Sequence, residues 1–409
     1  MAHPKVLAFV LAGGKGERLN PLTAFRSKPS VPFGGRYRIV DFALSNLINS
    51  RIYSIYLLVQ YKSQSLIEHV RRNWMLSSVM KDHFVAAVPP QMRMGPEWFQ
   101  GTADAVSQNI DLIRTHMPKL VIVFGADHIY RMDIRQMIDF HLTKGAYATV
   151  AARPVPVDQA SSFGVISTDA DQRIIGFQEK PAQPVPMPGD PTRVYASMGN
   201  YIFNTNVLLM ALERSQKKNL NDFGRHVIPS LVDTGQIFAY DFATNTVPST
   251  RDYEEHGYWR DVGTIPAYYD AHMDMLGAKP LFELDNSSWP IHPTAYEGPS
   301  TKILSADIHN SIIADGTTIH GARIVNSVIR SGVTIQEGVT VEDSIVMDHT
   351  VLKQGCRLRK VIVDKKNIIS AGEEIGFDPA TDRSRFMTDA GIVVLPRKGK
   401  IGEEMHQDG

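Results

Sequence analysis

The sequence predicts an α/β protein, a mostly parallel sheet covered by helices, followed by a C-terminal parallel β-helix. Three observations carry this. Short, uninterrupted apolar runs (VLAFVLA ending at Ala12, then Ile55–Val59, Leu120–Phe124 and Ala148–Ala151) alternate with stretches long enough for helices, such as Asp104–His116. Between Ile303 and Ile369 apolar residues return every six positions. The chain has 409 residues, 43% hydrophobic and 21% charged, which excludes a disordered, collagenous or fibrous chain. At roughly 150 residues per domain, two or three domains are expected.

The first run stops at Gly13-Gly14 and reads as a strand buried on both faces, because a half-exposed strand would alternate. Sheets of this kind bind ligands beyond the carboxyl ends of their strands, so the turns GGKGER, QYK and GADH are where chemistry should collect. The segment Pro181–Pro191 holds five prolines and a glycine and is expected to be a surface loop. Ile265–Leu276 reads as a helix, after which the chain becomes irregular and Pro-rich. These signals predict one domain over 1–278, a linker over 279–300 and a β-helix with a C-terminal cap over 301–409.

In the β-helix region, Ile313, Ile319 and Val325 form one six-residue series, and Val333, Val339, Ile345 and Val351 form another. Ile329, Ile335, Val341 and Met347 form a companion series. Gly332, Gly338 and Gly355 fall near the turns. Ordinary hairpins would not produce two agreeing series. The repeat becomes irregular at Lys353 and Arg357, and DPATDRSRF after Gly376 reads as a polar cap.

Lys plus Arg and Asp plus Glu each number 43, so no global field favours nucleic acid or an anionic membrane. The single cysteine, Cys356, excludes an intramolecular disulfide and a cysteine-cluster zinc site, and fits a reducing compartment. The opening apolar run is too short for a signal sequence or a span. A cytoplasmic protein is expected.

Three glycines in four positions, Gly13, Gly14 and Gly16, let the backbone approach an anion, while Lys15 and Arg18 add positive charge. Leu19 stands where a dinucleotide fingerprint needs its third glycine, and a Walker A loop is absent. A plain tight turn has the same composition, but Arg18, Arg26 and Lys28 converge on the same edge. A phosphate is expected there.

The segment LAGGKGERLNPLTAFRSKPSVPFGGRYRIVDFALSNLINS resembles the N-terminal signature of the sugar-phosphate nucleotidyltransferases. Its VPFGG and YRIVDFALSN portions are similar to the bacterial glucose-1-phosphate adenylyltransferase (ADP-glucose pyrophosphorylase) family. The resemblance continues through QYKSQSL, GTADAV, FGADHIYRMD, FGVI, FQEKP, ASMGNYIF and YWRDVGT, and covers nearly the whole chain. It implies a Rossmann-like nucleotidyltransferase domain, a left-handed β-helix and a homotetramer. The implied reaction is ATP plus α-D-glucose 1-phosphate to ADP-glucose plus diphosphate, supplying glycogen or α-glucan synthesis. Phosphorylated metabolites would act as effectors between the two domains.

That reaction joins two polyanions through a nucleophile that is already anionic, so it needs a metal and cations but no general base. Asp127, after the strand VIVFGA, is placed where a hard carboxylate can hold Mg²⁺, although an aspartate there is also a common helix cap. The resemblance implies Asp261 as the second metal ligand. His128 is expected to be structural, since Mg²⁺ prefers oxygen. The resemblance further assigns Arg18 and Lys28 to the phosphates, and Leu11, Gly13, Gly14, Gln60, Gly101 and Thr102 to the nucleotide. Phe99, Gly164, Glu179, Lys180 and Ser197 go to glucose 1-phosphate. An amide such as Gln60 can pair with adenine or with uracil.

The sequence also departs from the family. Phe99 stands where a tyrosine is usual, Gln64 replaces a common histidine, and Phe25 replaces a lysine tied to activation in enteric members. Arg26, Arg36, Arg38 and Arg51 are candidate effector contacts that a charged surface explains equally well. The alternatives are a nucleotidyltransferase for another nucleotide or sugar phosphate, and a non-catalytic regulatory subunit. Retention of Arg18, Lys28, Asp127, Lys180 and Asp261 together argues against the second. No acyl-transfer histidine stands in the repeat.

Overall fold

The computed structural model describes residues 4–77, 79–91, 97–382 and 385–397. Strand Val6–Ala12 is central in a nine-stranded sheet, parallel to Ser54–Val59 on one side and Leu120–Gly125 on the other, with Phe84–Val88 at the parallel edge. Its side chains alternate between two cores. Ala8 and Val10 pack with Val40, Leu44 and Ile134, while Leu7 and Phe9 pack with Ala103, Val106 and Leu208. Both faces are covered by helices, which is why the run is apolar without alternation.

Beyond Leu120–Gly125 the sheet becomes antiparallel. Arg193–Asn204 pairs with Leu120–Gly125, Ala148–Pro156 and Gly164–Thr168, Ile174–Glu179 adds to the edge, and Ile237–Asp241 runs parallel to Ala148–Pro156. Four of these strands lie outside the apolar runs. Arg193–Asn204 breaks register between Ser197 and Tyr201. The predicted helix Asp104–His116 is two, Thr102–Ser107 and Ile110–His116, because the Asn109 amide donates to the Ala105 carbonyl (2.8 Å) at the break. Ile265–Met273 ends three residues earlier than predicted. Pro181–Pro191 holds no helix or strand, and neither does 279–300.

From Lys302 onward, short parallel strands stack into a β-helix. Its rungs are 16 or 17 residues apart, as Ile313, Ile329, Val346 and Val363 show. Three full hexapeptides would make 18, so each rung is one or two residues short. The six-residue series therefore slips: Ile324 and Val346 occupy the interior, not Val325 and Met347. Ile345 and Met347 instead face the first domain and pack with Phe33, Tyr268 and Ile362. Gly332, Gly338 and Gly355 have φ of 70°, 73° and 69°, a left-handed turn conformation that glycine adopts without strain. Arg330 ties the junction further, donating to the carbonyls of Phe33 (2.9 Å) and Gly34 (2.6 Å).

Candidate active site

Register aligns the carboxyl ends of the three central strands, with Leu11 opposite Leu58 and Gly125. A cavity of about 870 Å³ opens over these ends. Leu11, Gly13, Gly14, Arg18, Lys28 and Gln60 line it, as do Phe99, Gly101, Thr102, Asp127, Gly164, Glu179 and Ser197. Lys180 and Asp261 are not in the lining.

The charged centre is compact. The Lys28 Nζ donates to Asp127 Oδ2 (3.0 Å) and Asp261 Oδ1 (2.8 Å), with its side chain only 8% exposed. Asp261 arrives through a two-stranded ribbon in which Trp259–Asp261 pairs antiparallel with His128–Tyr130, setting Asp261 opposite His128. Gly16 has φ 67°, and a Cβ there would meet the Lys28 Cβ at 3.0 Å, so glycine lets the turn close against the lysine. Burial alone would depress the Lys28 ammonium, but Asp127 and Asp261 outweigh it and hold its pKa above the ordinary lysine value. Burial would raise Asp127, but Lys28 and then His128 hold it well below the usual carboxylate range. Arg18 is largely exposed, with Nη2 3.9 Å from Asp261 Oδ2.

Asp127, His128 and Asp261 offer ligand atoms all within 4.8 Å of one another. Two carboxylates are the hard oxygen donors that Mg²⁺ takes, and an ammonium already bonded to both marks a place that attracts a cation. The residues fit a divalent metal. The His128 ring lies tilted against Trp259 with centroids 4.7 Å apart, and its Nδ1 is buried without a hydrogen-bond partner among the described residues.

Among the residues that the resemblance assigns to the nucleotide, the Gln60 amide is engaged with Phe99: Phe99 N–H donates to Oε1 (2.7 Å) and Nε2 donates to the Phe99 carbonyl (3.2 Å). One N–H and one lone pair remain for a base. Phe99 itself packs with Leu58, Ala103 and Val106. At Gly101 a Cβ would lie 2.3 Å from the Asn221 carbonyl oxygen, so only glycine allows this approach. Thr102 Oγ1 donates to Asp222 (3.1 Å) and accepts from Phe223 N–H (3.0 Å).

Among the residues that the resemblance assigns to glucose 1-phosphate, a Cβ at Gly164 would come within 2.7 Å of the Phe177 ring, and Ser197 Oγ accepts from Gly199 N–H (3.3 Å). Glu179 stands 3.8 Å from Arg225. Lys180 is exposed with φ 51°, a left-handed conformation costing a non-glycine residue about 1–2 kcal/mol. Asp222, Phe177 and Tyr201 also line the cavity, and sequence reasoning missed all three. Asp222 accepts from Arg225 N–H (2.9 Å) and caps Phe223–Val227, so an aspartate before an apolar turn was the available signal.

Arg26, Arg36, Arg38 and Arg51 lie outside the cavity lining, and of the four Arg26 and Arg38 come near one another, beside Arg330 and Lys365. Arg26 is buried and bonds both oxygens of Asp364 in the β-helix, at 2.8 and 2.7 Å. Arg38 Nη1 donates to the Ser65 carbonyl and hydroxyl, and burial draws its guanidinium down to about 10. Arg36 pairs with Asp315 at 3.3 Å. Arg51 follows the far end of the 11-residue helix Ile39–Asn49, about 16 Å along the axis from Arg38.

This geometry has relatives. Residues 7–277 match the nucleotidyl transferase family, and residues 299–395 match the GlmU-like C-terminal hexapeptide family, which accords with a left-handed β-helix. Curated relatives named glucose-1-phosphate adenylyltransferase include one from Thermodesulfovibrio yellowstonii, 64% identical over 98% of both chains. Others come from an Anaeromyxobacter species (46%, covering 97% of this chain and 99% of the relative) and Corynebacterium jeikeium (46%, 98% and 99%). Matched to the nucleotidyl transferase family over residues 7–277 and 46–64% identical to these relatives over nearly their full length, the chain belongs to the nucleotidyl transferase family and, within it, to the glucose-1-phosphate adenylyltransferases.

Proposed function

We propose that the protein transfers the adenylyl group of ATP to α-D-glucose 1-phosphate, giving ADP-glucose and diphosphate for glycogen or α-glucan synthesis in the cytoplasm, with Mg²⁺ as its cation. The observation that carries this is the Lys28–Asp127–Asp261 centre beneath the cavity at the strand ends. Among the described residues no helix is long and apolar enough to cross a membrane.

In this reading the backbone of Leu11–Gly14 and the Thr102 turn receive the nucleotide, while Arg18 reaches from solvent to the triphosphate. Lys180 holds the sugar phosphate, Glu179 accepts from sugar hydroxyls, and Gly164, Ser197 and Phe99 shape the pocket. The phosphate oxygen of glucose 1-phosphate attacks the α-phosphorus. The bond from the α-phosphorus to the oxygen bridging to the β-phosphate breaks, and diphosphate leaves with the electron pair. No proton has to be removed. Asp127 and Asp261 would hold the divalent ion, which supplies Lewis-acid stabilisation of phosphoryl charge worth several kcal/mol. Lys28 and Arg18 contribute fixed positive charge beside the departing group.

Residues 1–278 would be the catalytic unit and 301–409 the regulatory β-helix, joined by 279–300, in a homotetramer. Phosphorylated effectors would bind at the domain seam, where Arg26 and Arg38 meet Arg330 and Lys365 alongside Asp41, Asp348 and Asp364. Burial draws the Lys365 ammonium down to about 8, with the neighbouring guanidiniums adding to the shift.

Replacing Lys180 by Ala is expected to raise the KM for glucose 1-phosphate about 10-fold or more, since a charge-assisted hydrogen bond contributes about 1.5–3 kcal/mol. An unchanged KM would remove Lys180 from this role. Gln60, engaged with Phe99, keeps one donor and one acceptor, a pair that adenine and uracil can both meet. Diphosphate release with ATP, UTP, dTTP and GTP, each with glucose 1-phosphate, separates this reading from the rival with another nucleotide. The proposal requires ATP to be preferred.

A further inference from the structure

Asp261 must stand at a fixed distance from Asp127, yet the ribbon that sets this distance has two strands of three residues each, separate from the nine-, eight- and six-stranded sheets. A ribbon of that size has little stability of its own. Its two strands are held differently. His128–Tyr130 is clamped by Asn46, whose amide donates to the Tyr130 carbonyl (3.1 Å) and accepts from Met132 N–H (3.0 Å).

Trp259–Asp261 is held by an ion network instead. Arg153, on the sheet strand Ala148–Pro156, donates to the Trp259 carbonyl (3.0 Å) and to Glu255 Oε1 (2.9 Å). Arg260, adjacent to Asp261, also donates to Glu255 through both terminal nitrogens, and through Nε to Asp274 (3.0 Å). Two guanidiniums thus share one carboxylate. Without Glu255 they would repel across a partly desolvated gap, and Arg153 would lose the neighbour that holds it against the Trp259 carbonyl.

We propose that Glu255 is a positioning residue for the metal centre: by bridging Arg153 and Arg260 it fixes the strand carrying Asp261, and so the separation of the two carboxylates. Glu255 does not line the catalytic cavity and acts only through Asp261. Asn46 holds the other strand independently, so loss of Glu255 displaces Asp261 and leaves Asp127 in place. This rests on the reading that Asp127 and Asp261 hold the divalent ion.

The test is direct Mn²⁺ binding, counted from the free-ion EPR signal at 25 °C, with the full-length parent, Glu255→Gln, Arg153→Lys and Asp127→Asn. Loss of a partner outside the ligand set typically weakens metal binding 10–100-fold. Glu255→Gln is expected to weaken Mn²⁺ binding about 10-fold or more, to raise the half-saturating Mg²⁺ for turnover by a similar factor, and to leave the KM for glucose 1-phosphate within about twofold. Arg153→Lys, whose single ammonium cannot serve both partners, should shift Mn²⁺ binding the same way and carries the test if Glu255→Gln does not fold. Unchanged Mn²⁺ affinity, with or without a lower melting temperature, overturns the proposal. A parent that binds no Mn²⁺, or binds it equally well as Asp127→Asn, overturns the underlying metal reading instead.

Discussion

Replacement of Asp127 by Asn is expected to lower kcat by about 1,000-fold or more, equivalent to about 4 kcal/mol of transition-state stabilisation. The change is nearly isosteric and removes one of the two carboxylates able to hold the cation. Lys28 keeps its 2.8 Å bond to Asp261, so the buried ammonium is not abandoned and the fold should persist. Diphosphate release checks the rate, and circular dichroism checks the fold. A folded variant within 10-fold of the parent would remove Asp127 from the centre of the mechanism.

The second large effect is on stability. Asp364→Ala leaves the Arg26 guanidinium, about 4% exposed, without the carboxylate that accepts both of its bonds. Breaking one side of a buried pair costs about 3–5 kcal/mol, because the remaining charge stays desolvated. The expected result is a drop of that size in unfolding free energy by urea titration. Replacing both partners with apolar residues, Arg26→Met with Asp364→Leu, should recover most of it. A single variant as stable as the parent would mean that solvent reaches Arg26 as the junction opens.

The parts of the fold legible in the sequence were those with a local period. Three of the parallel strands announced themselves as unbroken apolar runs, though Phe84–Val88 at the edge was not among them, and the β-helix as a six-residue repeat. The repeat misled at Ile345–Met347, because a 17-residue rung shifts the interior to Val346 and turns its neighbours toward the first domain. The antiparallel strands were harder. Arg193–Asn204 carries Ser197, Gly199 and Asn200 across a register break, so no clean pattern marks it.

For the site, the Gly-rich turn and Asp127 could be reasoned from position after strands, whereas Asp261, Glu179 and Lys180 came only through resemblance. What no local pattern records is pairing at a distance. Lys28 meets Asp127 and Asp261 across 99 and 233 positions of chain, so its place between two carboxylates emerges only once the ribbon is formed. The closure of Gln60 on the Phe99 backbone and the bridge at Glu255 are of the same kind.

The most direct test is formation of ADP-glucose from ATP and glucose 1-phosphate, separated chromatographically, across a Mg²⁺ titration with the parent and with Asp261→Asn. The account predicts equal amounts of ADP-glucose and diphosphate, no product once divalent cations are chelated, full recovery on adding Mg²⁺, and little product from the variant at any Mg²⁺ concentration. Undiminished turnover in chelator, or parental rates from Asp261→Asn, would contradict it.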